Sequence, residues 1–379
     1  MGCVAGCGTA SRRSRHPTLS HEPRSTARAL GRRFMHRNRP SRVPWRWDGA
    51  IAMLGVARLN ELTDDPAPAA FVDAYLGHHR GRARLRMPDH CAPALAAIAA
   101  RRHITADQLD AAVTPVAEFL RGQPRNPLGA LDHLGVETTL SRVYPASIWI
   151  DSLMMYALSA VAIGRELGDA PLADFGYRQP AIFAEVLQDR QTGLFRHAYL
   201  HTREVTRPRD RVFWLRGNGW VAAALADMLE TDHEGHAANA EIFESLCQGL
   251  LAHQSDGGMW PTVIRDRRTY LEPSGSALVG YALAKGHRCG LLPRAARDSA
   301  ERVFEGVAAT LRTRGEGLSL PGVSGPTIPT GRRGYASVPR GADIDYGVGA
   351  VLMLAAELSR PEAQPAPSAE ARSPCTRYR

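Results

Sequence analysis

Residues 213–230 read FWLRGNGWVAAALADMLE, and they combine a helix pattern with the most unusual cluster of side chains in the chain. The second half is alanine-rich and apolar, which is typical of a helix that packs closely against other helices. The first half gathers Trp214, Arg216, Asn218 and Trp220 at the start of that helix. Asn218 could cap the helix through its side-chain oxygen, but a cap does not need two tryptophans and an arginine beside it. This start therefore indicates a binding site.

Apolar helices of this kind recur six times along the chain. They begin near Trp45, His90, Ala146, Asn218, Ser276 and Tyr346. More polar helices are predicted between them at 68–77, 106–121, 174–188, 238–253 and 294–312, and residues 24–35 supply a twelfth. Six helical hairpins predict an all-α (α/α)6 barrel, a closed toroid with the apolar helices inside, although an open solenoid would use the same hairpins. No stretch alternates as several strands would, so β structure should be minor.

The connections between the predicted helices are short at one end of the hairpins and long at the other. The long ones span 122–145, 189–214, 254–274 and 313–344. In a toroid these loops would meet at one mouth and build a pocket there. Because the unusual polar and aromatic residues lie in or beside them, we expect the functional site at that mouth.

The positive charge of the chain is concentrated in its first 47 residues. That segment holds eleven arginines and one acid, Glu22, and so carries +10, whereas the whole 379-residue chain carries +9 and the remainder −1. A basic face for nucleic acid is therefore not indicated. No apolar run approaches the roughly 20 residues of a membrane span, and the six cysteines show neither a disulfide framework nor a zinc-binding spacing.

The two ends are predicted to be tails around one catalytic domain. Residues 1–23 form a disordered basic leader without the apolar core of a secretory signal, residues 24–360 form the domain, and residues 361–379 form a disordered C-terminal tail. We expect residues 1–20 to be dispensable for stability and activity. We also expect a cytoplasmic protein, monomeric or weakly dimeric, with no nucleic-acid or membrane partner and with no metal or other cofactor.

Two carboxyl groups are candidates for acid–base chemistry. Asp151 falls in the apolar run YPASIWIDSLMMYAL (144–158), where loss of hydration should raise its pKa and keep it protonated near neutral pH. Asp89 stands at the entrance to the second apolar helix. Each has a structural alternative, because either aspartate could cap a helix and Asp151 could pair with a buried arginine.

The long loops also hold two histidines, His133 in LDHLG (131–135) and His197 in GLFRHAYLH (193–201). Each could orient a hydroxyl or relay a proton, and each could equally be structural. The tryptophans around Arg216 offer flat faces, and its guanidinium offers a fork that matches a carboxylate. Together with two carboxyl groups, this set favours a sugar ring that bears a carboxylate. No phosphate-binding or dinucleotide motif is present.

An ordered series of motifs resembles a known enzyme family. The motifs are Y-P-x-x-x-W-x-D (144–151), D-x-x-T-G-L-F-x-H (189–197), W-x-R-G-N-G-W (214–220), D-G-x-x-W (256–260), Y-L-E-x-S-G-S-A (270–277) and G-V-G-A (347–350), with W-x-W-D-G-A (45–50) and T-D-D (63–65) as an opening segment. The series is similar to the unsaturated rhamnogalacturonyl hydrolases of glycoside hydrolase family 105, which are related to the unsaturated glucuronyl hydrolases of family 88. The resemblance runs from about residue 24 to 358.

This resemblance implies an (α/α)6 barrel in which Asp151 is the general acid/base, Asp89 assists, and no metal is needed. It implies a substrate site formed by Trp45, His133, Trp149, His197, Trp214, Arg216, Asn218 and Trp220. The implied substrate is a small oligosaccharide, generated by a lyase, with a 4,5-unsaturated uronic acid at its non-reducing end. The implied reaction is hydration of the C4=C5 double bond.

The chain departs from the family pattern at three positions. Leu140 and Ser141 stand where a histidine and a basic residue are expected, and Ser147 stands where a glutamine is expected. His133 is a candidate replacement for that histidine. These changes leave the choice between galacturonate and glucuronate open.

Three other functions fit a toroid of this kind. One is an ordinary glycosidase with two carboxylates, and another is a catalytically silent carbohydrate-binding or scaffold protein. The presence of both Asp151 and Arg216 argues against a silent protein. A zinc-dependent cyclase would need clustered ligands, which Cys247 and Cys289 lack.

Overall fold

The computed structural model describes residues 22–361 except 137, 232 and 316. The predicted leader and C-terminal tail lie almost wholly outside these residues and stay predictions. The helices are α1 (Pro23–Arg37), α2 (Trp47–Leu59), α3 (Ala67–His79), α4 (Pro93–Ala99), α5 (Ala106–Gly122), α6 (Thr139–Val143), α7 (Leu158–Leu167), α8 (Ala170–Leu187), α9 (Leu215–Met228), α10 (His236–Leu251), α11 (Pro273–Arg288), α12 (Arg294–Ala308), α13 (Arg332–Ala336) and α14 (Asp345–Leu358). Among these, no helix combines the length and the apolar character that crossing a membrane requires.

Six apolar helices form a closed inner ring. In ring order they are α2, α4, α7, α9, α11 and α14; each contacts the next, and α14 contacts α2. The outer layer consists of α1, α3, α5, α8, α10 and α12, and each outer helix packs on at least one inner helix. The ring confirms the predicted (α/α)6 toroid and excludes the open solenoid.

Every inner helix points the same way through the ring. Its N-terminus follows a long connection from the preceding outer helix, such as 123–152 before α7, 188–214 before α9 and 309–344 before α14. Its C-terminus leads into the next outer helix through a short turn, which is only 168–169 between α7 and α8. The long loops therefore gather at one mouth, as the sequence predicts. We call it the N-terminal mouth, and the opposite opening the C-terminal mouth.

The β structure is confined to short pieces in those long loops. Strands β1 (Ile148–Trp149), β2 (Ala198–Leu200) and β3 (Val205–Arg207) form one antiparallel sheet. Two more antiparallel pairs join β4 (Arg312–Arg314) to β5 (Gly317–Ser319), and β6 (Val323–Ser324) to β7 (Arg340–Gly341). The first sheet ties the segment before α7 to the segment before α9, and so brings the motifs at 144–151 and 189–197 together.

One predicted helix start differs from the structure. The third apolar helix was expected to begin near Ala146, but residues 148–149 form β1, and a π-helical turn, Leu153–Ala157, leads into α7. Asp151 therefore lies in the turn before the helix rather than within a helical run. The carbonyl oxygen of Asp151 accepts the backbone N–H groups of Met154 and Met155, which starts the helical turns.

Glycines allow the ring to close. A Cβ atom on Gly55 of α2 would lie 2.6 Å from the carbonyl oxygen of Gly349 in α14, and a Cβ atom on Gly349 would lie 2.1 Å from the carbonyl oxygen of Ile51. Backbones that approach this closely leave no room for a side chain. The small residues in the inner helices are thus a packing requirement of the closed toroid.

We expect Gly349→Ala to destabilise the protein by roughly 1–3 kcal/mol, as overpacking a close helix contact does. The matched control is Gly77→Ala in α3, where an added Cβ meets nothing within 4 Å. That change should leave the protein as stable or raise its stability by up to about 1 kcal/mol, because alanine favours helix over glycine. Urea unfolding of both variants measures the difference. Equal stabilities would show that the α2–α14 contact does not limit closure.

Candidate active site

All of the predicted catalytic and binding residues except Trp45 meet at the N-terminal mouth of the toroid. Asp89 lies in a 3-10 turn, Pro88–His90, that packs against the π-helical turn after Asp151. His197 comes from the segment before β2, and the backbone N–H of Ile150 donates to the carbonyl oxygen of His197 at 2.9 Å. Segments that are far apart in the chain thus place two carboxyl groups and a histidine together.

A stack of rings fixes His197 beside Asp151. The imidazole of His197 stacks on Trp214, with ring centroids 4.4 Å apart, and Trp214 in turn stacks on Tyr335. The Nδ1 atom of His197 lies 2.9 Å from the hydroxyl oxygen of Tyr335, and its Nε2 atom lies 3.2 Å from Oδ2 of Asp151. Neither atom of the second pair has a well-directed hydrogen-bond partner, so this contact is chiefly electrostatic.

The pKa of Asp151 is shifted in the opposite direction from the one expected from the sequence. Burial raises it, as predicted, but the neighbouring His197 and, more weakly, His133 outweigh burial and hold the pKa of Asp151 below its usual value. The expectation of a protonated Asp151 in the free protein is therefore wrong. Its side chain is ionised at neutral pH before substrate binds.

The pKa of Asp89 is shifted in the opposite direction from that of Asp151. Burial, together with the negative charges of Asp151 and Asp48, raises the pKa of Asp89 well above its usual value, and Arg46 offsets only part of this effect. Its Oδ1 atom is buried without a hydrogen bond and lies 3.8 Å from Nε2 of His133. Environments that drive two carboxyl groups in opposite directions are the usual basis of an acid and a base in one site.

His133 stands between the two aspartates as a neutral group. Burial lowers the pKa of His133 to about 4. Its ring stacks on Trp149 with centroids 4.3 Å apart, and its Nδ1 atom lies 2.9 Å from the hydroxyl oxygen of Ser152. The indole N–H of Trp149 donates to the hydroxyl oxygen of Ser147. The structure thus brings His133 and Trp149 into the site, as predicted.

Asn218 is placed to hold the site together rather than to face a substrate. It is fully buried; its Oδ1 atom accepts the backbone N–H of Phe195 at 2.7 Å, and its Nδ2 group donates to the carbonyl oxygens of Phe195 and Trp214. Asn218 therefore fixes the loop that carries His197 to the start of α9. Trp220 is equally buried, at 1% exposure, and packs edge-on against Trp47.

Arg216 is enclosed at the same mouth. Its guanidinium lies between the rings of Trp214 and Tyr346, at 4.7 and 4.9 Å from their centroids. Its terminal nitrogens donate to the carbonyl oxygens of Ser324 and Gly325 at 3.0 and 2.9 Å, and the side chain is only 1% exposed. In the free protein this guanidinium therefore holds the loop after β6, and a substrate carboxylate would reach it only if that loop moved.

A buried carboxylate anchors the same loop from the other side. Glu272 caps α11, accepting the backbone N–H groups of Ser274 and Gly275, and it also accepts the N–H of Ser324 at 3.2 Å. The motif Y-L-E-x-S-G-S-A thus links the start of α11 to the loop whose carbonyl oxygens accept hydrogen bonds from Arg216. Capping explains the glutamate without a catalytic role.

Trp45 is the predicted site residue that lies outside this cluster. It stacks on Tyr75 of α3, with ring centroids 5.7 Å apart, and its indole N–H donates to the carbonyl oxygen of His90. Trp47, two residues later, is the tryptophan that enters the mouth, where it contacts Tyr346. Sequence reasoning also missed Tyr335 and Ser324, because the long loop that holds them has no periodic or motif signal.

No metal centre is evident where the chain is described. Among residues 22–136, 138–231, 233–315 and 317–361, no three or more side chains of His, Cys, Asp or Glu are grouped so as to hold a metal ion. Cys91 and Cys247 are buried free thiols in the core of the barrel.

A closed six-hairpin toroid with a carboxyl pair and stacked aromatic rings at one mouth places the protein among the (α/α)6-barrel carbohydrate enzymes. The sequence model of Glycosyl Hydrolase Family 88 matches residues 26–361, and the chain belongs to this family. The resemblance drawn from the sequence motifs is thereby confirmed.

Two relatives illustrate the range of the family. The unsaturated rhamnogalacturonyl hydrolase YesR of Bacillus subtilis strain 168 is 27% identical over 327 residues, which is 83% of this chain and 89% of YesR. The unsaturated 3S-rhamnoglycuronyl hydrolase of Alteromonas sp. strain LOR is 26% identical over 216 residues, which is 55% of this chain and 50% of that protein.

Solved structures agree with the fold. A glycoside hydrolase from family 105 of C. acetobutylicum ATCC 824 superposes with a TM-score of 0.78 and 23% identity, covering 88% of this chain and 98% of that one. The unsaturated glucuronyl hydrolase from Bacillus sp. GL1 gives a TM-score of 0.70 and 15% identity, covering 90% and 97%.

The opposite pKa shifts of Asp89 and Asp151 predict different pH dependences of stability. A carboxyl group whose pKa is raised on folding adds stability below its unfolded value, near 3.9, and loses that contribution as the pH rises through its folded pKa. Asp89→Asn avoids this loss, so its stability relative to the wild type should rise as the pH increases above about 4. A lowered pKa adds stability above about pH 3.9 and loses it as the pH falls, so Asp151→Asn should show no such gain.

Differential scanning calorimetry of the wild type and both variants across this pH range measures the two trends. The same trend in Asp89→Asn and Asp151→Asn would contradict the assignment of the proton to Asp89.

Proposed function

We propose that the protein is an unsaturated uronyl hydrolase. It removes a 4,5-unsaturated uronic acid from the non-reducing end of small oligosaccharides that a lyase has generated. The observation that carries this proposal is the pair of Asp89 and Asp151, whose pKa values are driven apart at the N-terminal mouth of a chain that belongs to Glycosyl Hydrolase Family 88. The names of the relatives, rhamnogalacturonyl and rhamnoglycuronyl hydrolases, support the same substrate class.

The mouth has the chemistry that such a substrate needs. Trp149, Trp214 and Tyr335 enclose the Asp151–His197 pair. All three rings are buried, so they hold His197 in position beside Asp151 rather than offer open faces to a sugar. The N-termini of all six inner helices point toward this mouth, and their dipoles favour an anionic group such as a uronate carboxylate. An acidic sugar is therefore stabilised here in spite of the carboxylates.

We assign the general acid and base roles to Asp151. Its carboxyl proton passes to C4 of the unsaturated ring, and the positive charge that develops at C5 is stabilised by the ring oxygen. The resulting Asp151 carboxylate takes a proton from water as the water oxygen bonds to C5. The hemiketal then opens, and the aglycone leaves with its own glycosidic oxygen. One water is consumed, and Asp151 regains its proton.

This cycle requires a proton on Asp151 in the substrate complex, although Asp151 is ionised in the free protein. Binding of an anionic uronate brings a like charge and excludes water, and both effects raise the pKa of a carboxyl group. Asp89 holds a proton nearby and keeps a second negative charge out of the site. Asp89 is thus proposed to assist by its protonated state, and His197 to orient the Asp151 carboxyl.

We further propose a cytoplasmic location, where lyase products that enter a cell would meet the enzyme. We also propose that it acts as a monomer or a weak homodimer.

The substrate test uses the absorbance of the C4=C5 enoate. We expect unsaturated disaccharides to lose this absorbance on incubation with the enzyme, and saturated uronides to remain intact because they have no C4 to protonate. Added chelator should not change the rate. Equal cleavage of saturated and unsaturated disaccharides would favour an ordinary two-carboxylate glycosidase, and cleavage of neither would favour a silent binding protein.

The residue test compares Asp151→Asn with a matched aspartate variant. Loss of a positioned acid–base group costs roughly 10²- to 10⁴-fold in rate, and we expect Asp151→Asn to reach the upper end because both proton transfers depend on it. Asp89→Asn should lose less. Asp110→Asn, on the exposed face of α5, should keep the wild-type rate. Steady-state kinetics with thermal melts provides the comparison, and near-normal turnover of a folded Asp151→Asn would refute the role of Asp151.

A further inference from the structure

The toroid has a second cavity at its C-terminal mouth. Its volume is about 790 Å³, within the range of pockets that hold small-molecule ligands. Residues near the C-terminal ends of the inner helices line it, among them Arg58 of α2, Arg165 of α7 and Lys285 of α11. An inner helix of 13 or 14 residues is about 20 Å long, so this cavity is separate from the Asp151 mouth.

The acidic side chains on one wall of this cavity are already paired with cations. Glu61 pairs with Arg58 and Arg360, at 3.0 and 2.6 Å. Asp227 and Glu230 both pair with Lys285, which is buried. This wall is electrically satisfied, and it offers no free anion to a cationic ligand.

The facing wall carries cations without such partners. Arg101 and Arg102 lie in the turn after α4, and Arg165 lies in the last turn of α7, a helix that contacts α4. Within the described residues none of the three makes an ion pair or a side-chain hydrogen bond, and all three are exposed. His103 lines the same wall, and Glu166 is the one acid there. The wall therefore has an excess of at least two positive charges.

Neutralising helix dipoles does not account for this wall. A cation in the last turn of a helix stabilises its C-terminus, and Arg165 is placed to do so for α7. Arg101 and Arg102 lie next to each other beyond the end of α4, although one cation would be enough to stabilise the C-terminus of that helix. The floor between the two walls is apolar, with Leu54, Leu95 and Val161. A cavity with an apolar floor and a row of free guanidinium groups matches an organic anion, because guanidinium forks bind carboxylates and phosphates.

We propose that the C-terminal mouth is a binding site for a small organic polyanion that carries two or more carboxylate or phosphate groups. Arg101, Arg102 and Arg165 bind the anionic groups, and the apolar floor takes the body of the ligand. The site is independent of the reaction at the N-terminal mouth.

Equilibrium binding at low salt tests this site with two probes, trigalacturonate for carboxylates and tripolyphosphate for phosphates. The triple variant Arg101→Gln/Arg102→Gln/Arg165→Gln should bind at least tenfold more weakly than the wild type. Arg178→Gln, an exposed arginine on α8, is the matched control and should bind as the wild type does. Binding should also weaken as salt rises, since exposed charges are screened.

The outcomes separate the ligand sources and the two sites. The probe that binds more tightly identifies a carboxylate or a phosphate source. If trigalacturonate binds at the N-terminal mouth instead, the triple variant should still bind it as tightly as the wild type does. In either case the triple variant should turn over unsaturated substrate at the wild-type rate, because its three substitutions lie at the C-terminal mouth. Absence of binding by either probe, or equal binding by the wild type and the triple variant, would overturn the proposal.

Discussion

The contact between α2 and α14 closes the ring, and the arrangement of the other helices follows from it. Two glycines, Gly55 and Gly349, let the backbones approach so closely that a Cβ atom would overlap a carbonyl oxygen. Once the ring is closed, six inner helices run in one direction, and all their N-termini face one mouth. The long loops and the positive ends of the helix dipoles therefore meet at the N-terminal mouth. A gap between α2 and α14 would open the toroid and separate Trp47, at the start of α2, from Tyr346, at the start of α14.

The N-terminal mouth is organised by buried hydrogen bonds. Asn218 joins the loop of His197 to α9, and Glu272 joins α11 to the loop of Ser324. Both side chains are fully buried, so leaving a partner unpaired would be costly. The Asn218 link fixes the segment that carries His197 beside Asp151, and the electrostatic effect of His197 on Asp151 depends on that fixed distance. The R-G-N-G-W and Y-L-E-x-S-G-S-A motifs are therefore largely structural, although they stand beside the chemistry.

Much of the fold could be predicted from the sequence, because each apolar helix start is a local pattern. The predicted helix start near Ala146 was wrong, because Ile148 and Trp149 form a strand that pairs with β2. The site was predictable where a motif carries it, as for His197 and Trp214. The direction of the pKa shift of Asp151 could not be predicted, because it depends on His197, which comes from another segment, whereas the local sequence shows only apolar neighbours. Trp45 and Trp47 could not be told apart, since α2 begins at Trp47 and the local sequence does not show that Trp45 packs on Tyr75 whereas Trp47 packs on Tyr346. Tyr335 lies in α13, a five-residue helix too short to show periodicity in the sequence, and only the fold shows that it contacts His197.

The most direct test of the proposed reaction is to follow cleavage of an unsaturated uronyl disaccharide in D₂O by proton NMR. Hydration through C4 predicts that the released uronic acid carries deuterium at C4 as soon as it appears, at the same rate as the aglycone. Loss of the C4 vinyl proton signal should match aglycone release. If the aglycone is released while the C4=C5 bond remains and C4 carries no deuterium, the bond is cleaved at the anomeric carbon, and the account given for Asp151 is contradicted.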